Sequence, residues 1–433
     1  MREMKDSGIQ WLREYPANWN LIKIKYCLKE RVEKNNPVRT TDILSLTAKQ
    51  GVIPYDQKEG GGNKPKEDVS AYRLAYPGDI VMNSMNILSG SVGLSNYFGC
   101  VSPVYYMLRP IDKSEDVRFY NYIFQSTVFQ RSLYGLGNGI LIKESGNGKL
   151  NTIRMRIPID KFGGLFIPVA PIQEQKKIAD FLDAKCSEID ALIADIQTQI
   201  DTLEQYKRSI ITEAVTKGMN PDVEMKDSGN QYWGRIPTNW HLSDIKYLFE
   251  IVKRIAGKEG YDILSVTQKG IKIKDISNNE GQVAESYANY QFVYPGDFVM
   301  NHMDLLTGWV DCSKLFGVTS PDYRVFRLRD KNNSLSYYKY IMQTCYMNRI
   351  FYSLGQGVSN LGRWRLQTSS FNNFMVPVPP VEVQESIANY LDKKCTEINA
   401  CIDDKQRQLE VLEEYNKSLI YEYVTGKKEV PAI

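Results

Sequence analysis

Two short segments hold the residues best suited to chemistry, one in each half of the chain. Each segment places two arginines around one apolar residue and follows a glycine-rich loop that carries an amide side chain. Arginine and amide side chains recognise base edges, arginine also binds phosphates, and glycine lets a backbone approach a phosphate closely. The pattern predicts contact with nucleic acid, and the different amides would suit two domains that recognise different sequences. The residues are Arg154, Arg156, Arg363, Arg365, Asn138 and Gln356.

These residues also fit a purely structural role. The arginines could pair with acidic side chains in a strand, and the glycines could only turn the chain.

Lysines supply a second set of candidate phosphate contacts. An insertion within residues 140–150 has no counterpart in the second half of the chain, and it predicts either a loop that enters a DNA groove or an idle surface loop. Further lysines lie in polar stretches just after an Asp-Ile-Leu-Ser segment in each half, where simple solvation is the common explanation. The candidate lysines are Lys143, Lys149, Lys49, Lys64, Lys66, Lys269, Lys272 and Lys274.

Composition excludes several classes of catalyst. The two histidines, His241 and His302, are too few for zinc-hydrolase and paired-histidine nuclease motifs. The seven cysteines form no Cys-x-x-Cys pair and are odd in number, so neither a zinc site nor a disulfide framework is predicted. A net charge of +3 neither requires nor excludes nucleic acid, because acidic surface elsewhere can balance a basic face.

The remaining catalytic motifs are incomplete. The glycines at 135, 137 and 139 do not continue as a dinucleotide-binding fingerprint, and Gly148-Lys149 lacks the flanking residues of a phosphate-binding loop. The carboxylates of Asp222 and Glu224 are too close in sequence to form a nuclease site from separate strands. We therefore predict no catalytic residue and no metal site.

No apolar run approaches the roughly 20 residues that cross a bilayer. The first eight residues lack the apolar core of a signal peptide. Both observations predict a cytoplasmic protein.

The sequence is a tandem duplication. Met-Lys-Asp-Ser-Gly begins at Met4 and again at Met225, and Tyr-Pro-Gly-Asp begins at Tyr76 and again at Tyr294. Several other short segments recur in the same order. An unchanged order of repeated segments indicates two copies of one structural unit.

Each copy ends in a segment with helical periodicity. Apolar residues recur at spacings of four and three from Leu182 to Leu203, and again from Leu391 to Leu412 with an interruption at Lys405. This heptad spacing predicts two coiled-coil helices. Residues suited to helix starts and stops flank the two segments: Pro171, Gly218, Pro380 and Gly426.

The predicted fold is α+β, with two mixed α/β domains held apart by two long antiparallel helices in a pseudo-twofold repeat. A helix of about 45 residues is roughly 65 Å long and needs a partner to bury its apolar seam. The other copy supplies that partner. The predicted segments are residues 1–170 and 218–379 for the domains, 171–217 and 380–426 for the helices, and 427–433 for a C-terminal tail.

Two related domains at a set distance suit a protein that recognises two half-sites on one DNA duplex. The same geometry suits a spacer that joins two protein partners. Geometry alone leaves both functions open.

The openings of the two helices resemble a known family. Residues 168–175 (Pro-Val-Ala-Pro-Ile-Gln-Glu-Gln), followed by Ile-Ala and Leu-Asp pairs, are similar to the helix opening of specificity (S) subunits of type I restriction–modification systems, and residues 377–384 repeat the pattern. The sequence departs from it at Val383, which replaces Glu174, and at Lys405. Three further segments, each with its repeat, resemble parts of that family's target recognition domains: residues 42–47, 76–83 and 102–105.

The resemblance implies a DNA sequence-recognition subunit without catalytic activity. Each target recognition domain would recognise one half of a bipartite asymmetric site, and the helices would set the spacer and dock two methyltransferase subunits, with restriction subunits in the full complex. S-adenosylmethionine, ATP and Mg would bind partner subunits only. The alternatives are a two-headed protein-only scaffold, and a methyltransferase or nuclease in its own right, for which the sequence offers no site.

Overall fold

The computed structural model describes residues 2–47, 50–58, 65–85, 90–137, 143–144, 150–151, 156–275, 286–358 and 363–431 of the 433. The chain forms two compact units: Met1–Ile196 with Arg407–Ile433, and Gln197–Gln406. Each unit combines one mixed domain with part of both long helices. Both long helices contribute residues to each unit's core, Ile189 and Leu419 to the first and Ile211 and Leu391 to the second.

The first domain is built from short strands and helices. Its elements are β1 (Met4–Asp6), β2 (Glu14–Pro16), β3 (Asn20–Lys23), α1 (Ile24–Cys27), β4 (Leu28–Glu30), β5 (Leu44–Thr47), β6 (Gly51–Pro54), a 3₁₀ turn (Tyr55–Gln57), β7 (Arg73–Ala75), β8 (Ile80–Asn83), β9 (Val92–Leu94), β10 (Gly99–Val101), β11 (Tyr105–Pro110), α2 (Val117–Gln125), α3 (Thr127–Ser132), β12 (Lys143–Glu144), β13 (Leu150–Asn151), α4 (Ile159–Gly163) and β14 (Phe166–Val169). The central sheet has the order β4-β11-β8-β9, with antiparallel neighbours. The long helix α5 (Ile172–Lys217) follows and continues into the second unit.

The second domain repeats this architecture. Its elements are β15 (Met225–Asp227), β16 (Arg235–Pro237), β17 (His241–Asp244), α6 (Ile245–Leu248), β18 (Phe249–Val252), β19 (Leu264–Thr267), β20 (Gly270–Ile273), β21 (Gln291–Val293), β22 (Phe298–Met300), β23 (Val310–Cys312), β24 (Gly317–Thr319), β25 (Arg324–Leu328), α7 (Leu335–Met347), α8 (Ile350–Ser353), β26 (Gln356–Val358), β27 (Arg363–Arg365), α9 (Thr368–Asn372) and β28 (Met375–Val378). The sheet order β18-β25-β22-β23 matches that of the first domain. The second long helix is α10 (Val381–Val424).

The Tyr-Pro-Gly-Asp segments form turns into buried strands. Asp79, which is almost fully buried, accepts hydrogen bonds from the Tyr76 N–H (3.0 Å) and from the Arg31 guanidinium (2.9 Å), and β8 follows at once. The second domain repeats the arrangement at Asp297, which pairs with Arg254. The repeated aspartate therefore belongs to the core, where its charge is neutralised by an arginine.

Within the first unit the two long helices run antiparallel. The Phe181 ring on α5 lies 4.5 Å from the Tyr423 ring on α10, measured between centroids. Further along α5, the Cys186 thiol donates a hydrogen bond to the Asn416 amide oxygen, at 3.3 Å. The partner's residue number falls as the α5 number rises, which defines the antiparallel direction.

The second unit contains the same antiparallel pairing. The Lys207 ammonium donates a hydrogen bond to the Asn399 amide oxygen at 2.7 Å, and the Lys405 ammonium donates to the Gln199 amide oxygen. Lys405, which interrupts the apolar seam, therefore has a polar partner on the opposing helix. The predicted fold class, mixed α/β domains with two long antiparallel helices in a repeated chain, is confirmed.

Two buried glutamines explain the sequence of the helix openings. The Gln175 side-chain oxygen accepts the backbone N–H of Asp116 at 3.0 Å, and its nitrogen donates to a carbonyl five residues earlier, at 2.9 Å. Gln384 makes the same two bonds, with the backbone N–H of Ser334 as its donor, at 3.0 Å. Each glutamine thus joins a long helix to the residue that caps the start of a shorter helix in the same domain, Asp116 before α2 or Ser334 before α7.

Val383 replaces Glu174 together with a change in its partners. The Glu174 carboxylate accepts hydrogen bonds from the Arg2 guanidinium and from the Trp19 indole N–H, the latter at 2.9 Å. In the second copy Val223 stands at the position of Arg2, and Val383 packs against the apolar core of its domain. An ion pair in one copy is thus replaced by apolar contact in the other.

Replacing Gln175 with leucine tests the joint between the first domain and α5. The change leaves the part-buried N–H of Asp116 and the buried carbonyl of Ala170 without these partners, so we expect a loss of about 1–3 kcal/mol in unfolding free energy. Differential scanning calorimetry measures it as a lower midpoint for the first unit. The matched control is Gln173→Leu, two residues away and exposed, which should change stability by less than about 0.5 kcal/mol. Equal midpoints for the two variants would contradict the assignment.

Candidate nucleic-acid interface

A short hairpin in the second domain brings two of the predicted residues together. Strands β26 and β27 pair antiparallel, and Gln356 lies directly opposite Arg365 in the register. Both side chains are exposed. Directly opposed residues have Cβ atoms about 5 Å apart, so the amide and the guanidinium reach the same small area of surface. Arg363 belongs to the same strand, opposite Val358.

Trp364 fixes this hairpin to the body of the domain. Its indole N–H donates a hydrogen bond to the Tyr352 carbonyl on α8 at 2.7 Å, and its ring lies 5.8 Å from the Tyr352 ring. A Cβ added at Gly355 would come within 2.4 Å of the Trp364 indole nitrogen. The glycine at 355 therefore makes room for the Trp364 indole.

The matched segment of the first domain is described in part. Arg156 is exposed, and the insertion contains the two-stranded pair β12–β13, in which Lys143 lies opposite Asn151. Five predicted residues lie outside the described residues: Arg154, Asn138, Lys149, Lys49 and Lys64.

The predicted lysines of the second domain lie on a different hairpin from the arginines. Lys269 is in the turn between β19 and β20, Lys272 lies opposite Ser265, and both are exposed. Lys274 follows β20 and is half-buried, whereas Lys66 of the first domain is exposed. Strand β20 contacts β23. In the described part of the second domain, the predicted lysines and the predicted arginines therefore lie on different hairpins.

The backbone just after Arg156 is held by two hydrogen bonds. The N–H of buried Ile157 donates to the Ser84 carbonyl at 3.0 Å. The hydroxyl of Tyr106, on β11, donates to the Ile157 carbonyl, also at 3.0 Å. We name this pair of bonds the backbone clamp.

The second domain has the same clamp at matched positions of the repeat. The Leu366 N–H, just after Arg365, donates to the His302 carbonyl at 3.0 Å. The Leu366 carbonyl accepts a hydrogen bond from the guanidinium of Arg324, on β25, at 3.1 Å. An arginine in the second domain thus makes the contact that Tyr106 makes in the first. Sequence comparison missed both residues, because the two differ in type and the hydrogen bond that they share goes to a backbone carbonyl.

Arg324 is a charged group in an apolar environment. It is 5% exposed, and its guanidinium stacks on the Phe371 ring, 4.5 Å from the centroid. It donates a second hydrogen bond to the Thr368 hydroxyl at 3.3 Å. No carboxylate pairs with it in the described parts of the chain. Burial lowers the pKa of Arg324 to about 10, so it remains protonated at neutral pH.

The charge of Arg324 contributes to a lowered pKa of His302. Its burial, and the nearby charges of Arg324 and Arg365, lower the pKa of the imidazole from 6.5 to about 4. The imidazole is therefore neutral at physiological pH. The residue at the matched position of the first domain is Ser84. The two side chains differ, and what both residues supply to the clamp is the backbone carbonyl.

The described residues contain no group of three or more histidine, cysteine, aspartate or glutamate side chains arranged to hold a metal ion. None of the described helices has the length and apolar character needed to span a membrane.

The chain is similar to proteins of known class, although no family profile matches it. It is 26% identical over 295 residues to the specificity subunit of the type I restriction enzyme MjaVIII of Methanocaldococcus jannaschii, covering 63% of this chain and 64% of that protein. It is 24% identical over 282 residues to the putative type I MjaX specificity subunit of the same organism, covering 61% and 60%. The match thus spans less than two thirds of either relative.

A solved structure has the same fold. It is a chain from work on complex assembly and conformational transition of the type I restriction–modification system. It aligns with 96% of this chain and 99% of its own length, at a TM-score of 0.66 and 12% identity. The resemblance to type I specificity subunits, inferred from the helix openings, is confirmed by these relatives.

The low pKa of His302 predicts a stability change in weak acid. The unfolded imidazole takes up a proton near pH 6.5, whereas the folded one does so near pH 4. The unfolded state binds more protons in this window, so stability is complete above it and falls as the pH drops through it. His302→Gln should flatten that fall in urea unfolding measured at pH 7.0 and 5.0. His241→Gln, at an exposed position, is the control. An unchanged slope for His302→Gln would contradict the assignment.

Proposed function

We propose that this chain is the DNA sequence-recognition subunit of a type I restriction–modification complex. The observation that carries the proposal is an exposed arginine at the matched position of each domain, Arg156 and Arg365. In both domains the backbone clamp holds the residue that directly follows this arginine. The curated relatives, which are specificity subunits by name, support it.

Each domain would recognise one half of a bipartite asymmetric site. A two-stranded ribbon fits the major groove, where arginine binds guanine and an amide side chain binds adenine through paired hydrogen bonds. Gln356 and Arg365 stand side by side on such a ribbon. The first domain has a different sequence there, with Met155 in place of Trp364 and an insertion at 140–150. These differences favour two unlike half-sites.

The long helices would set the spacer and dock two methyltransferase subunits, with restriction subunits joining the full complex. The antiparallel contacts of α5 and α10 within each unit support a fixed helix pair. Tyr206 and Tyr415, at matched positions of the two helices, are each 52% exposed. A repeated exposed aromatic favours two copies of one partner.

Catalysis would belong to the partners. S-adenosylmethionine, ATP and Mg would bind the methyltransferase and restriction subunits, and this chain would supply sequence recognition alone. The specificity-subunit names of the relatives support this division of labour.

Selection from a random duplex pool tests the proposal. The chain, purified with its methyltransferase partner, should enrich one bipartite sequence and bind it at least about a thousandfold more tightly than a scrambled duplex at physiological salt. Equal affinity for both duplexes would overturn the proposal. A protein-only scaffold would show no salt-dependent DNA binding at all.

Replacing Arg365 with alanine should relax recognition at one base position of one half-site. A lost bidentate contact costs about 1–3 kcal/mol there and leaves other positions unchanged. Arg156→Ala should act on the other half-site. Competition binding with all single-base variants of the selected duplex measures both. The control is Arg327→Ala, an exposed arginine paired with Glu250. Wild-type tolerance at every position in Arg365→Ala would remove that residue from the interface.

Lengthening both helices should lengthen the preferred spacer. Seven residues added to each helix, at the contact between Gln199 and Lys405, keep the heptad register and add about 10 Å. That length corresponds to about three base pairs at 3.4 Å per step. Selection with the lengthened chain measures the new gap. The same insertion in α5 alone should instead disrupt pairing and lower the melting temperature. An unchanged gap after the double insertion would contradict the spacer role.

A further inference from the structure

We propose that Tyr106 and Arg324 are positioning residues, which fix the arginine segments of the two domains for DNA recognition, and that Arg324 also strengthens DNA binding through its charge. The inference rests on the proposed function and goes beyond it, because neither residue was among the predicted DNA contacts.

The clamp fixes the backbone directly next to the exposed arginine. Both backbone polar groups of Ile157 and of Leu366 are bonded, and both residues are almost fully buried, at 2% and 1% exposure. Arg156 and Arg365, which directly precede these residues, are therefore attached to a fixed backbone. Arginine has a long flexible side chain, and ordering it on binding costs less when its backbone is already in place.

The contact is made twice by different chemistry. Tyr106 and Arg324 occupy equivalent positions on β11 and β25, opposite Met82 and Met300 in the register. Both side chains are buried, and both donate to the carbonyl that follows the exposed arginine. Tyrosine and arginine share little except the ability to donate a hydrogen bond over this distance. That shared ability is the feature that the two diverged domains retain.

The two solutions differ in charge. Burying a guanidinium without a carboxylate is costly, whereas a tyrosine hydroxyl makes the same bond without that cost. The Arg324 guanidinium lies 3.1 Å from the carbonyl of Leu366, the residue next to exposed Arg365, so its charge adds positive potential beside that arginine. An extra positive charge in a medium of low dielectric constant attracts phosphate over a longer range than a solvated one.

Three variants separate the hydrogen bond from the charge. Arg324→Leu removes both, Arg324→Tyr restores the donor found in the first domain without its charge, and Tyr106→Phe removes the donor from the first domain. The probe is the bipartite duplex enriched by the selection above, together with its single-base variants. Affinity is measured across a salt series for the full chain with its methyltransferase partner.

We expect Tyr106→Phe to lose about three- to tenfold in discrimination at the base assigned to Arg156 and nothing in the other half-site. Arg324→Leu should lose discrimination at the base assigned to Arg365, and Arg324→Tyr should recover it. Arg324→Tyr should still bind more weakly, with a smaller salt dependence. Wild-type discrimination in Tyr106→Phe and Arg324→Leu would overturn the positioning role, and wild-type affinity and salt dependence in Arg324→Tyr would overturn the charge role.

Two measurements without DNA keep this outcome separate from the proposed function. Hydrogen exchange of the peptide ending at Leu366 should accelerate in Arg324→Leu and return to the wild-type rate in Arg324→Tyr. The imidazole signals are simple to assign, because the chain has two histidines, and the pKa of His302 should rise from about 4 in Arg324→Tyr. If these responses occur in a chain that prefers no duplex, the proposed function fails while the clamp stands. If the exchange response does not occur, the clamp fails whatever the chain binds, and an unchanged pKa of His302 overturns the charge role.

Discussion

The structure depends on the burial of one apolar seam along each long helix. A helix of this length exposes a continuous stripe of leucine, isoleucine and cysteine that no single small domain covers. Leu182 on α5 and Leu391 on α10 are fully buried, each in the core of the domain that precedes its own helix. Leu419, near the end of α10, joins the core of the first domain, and Ile211, near the end of α5, joins that of the second. Each unit is therefore completed by a helix segment from the other copy.

The repeated residues of the helix openings act as joints between helix and domain. Asp183 accepts a hydrogen bond from the Tyr122 hydroxyl at 2.6 Å, and Asp392 accepts the matching bond from the Tyr340 hydroxyl at 2.7 Å. Together with the buried glutamines, they attach each domain to its helix in the same way. Among the described residues of the second domain, the hairpins β19–β20 and β26–β27 make none of these bonds, so their sequences can diverge without loosening the domain from its helix. Such a division allows two unlike binding surfaces on two like supports.

The sequence predicted those parts of the structure that repeat in residue type. The heptad spacing, the Tyr-Pro-Gly-Asp segment and the paired arginines recur in both copies, and the structure places Gln356 directly opposite Arg365. The backbone clamp escaped prediction because Tyr106 and Arg324 differ in type and bond to a carbonyl, which any residue carries. The glycine-rich loop predicts room for a phosphate, whereas at Gly355 the Trp364 indole fills that room.

The central claim is that a single chain recognises two different DNA sequences, one with each domain. Mapping methylated adenines in a genome that carries this chain and its methyltransferase partner tests the claim most directly. The account predicts one motif with two unlike specified halves separated by a constant number of unspecified bases, and loss of the whole motif when the chain is deleted. A single uninterrupted motif, or a methylation pattern that survives the deletion, would contradict it.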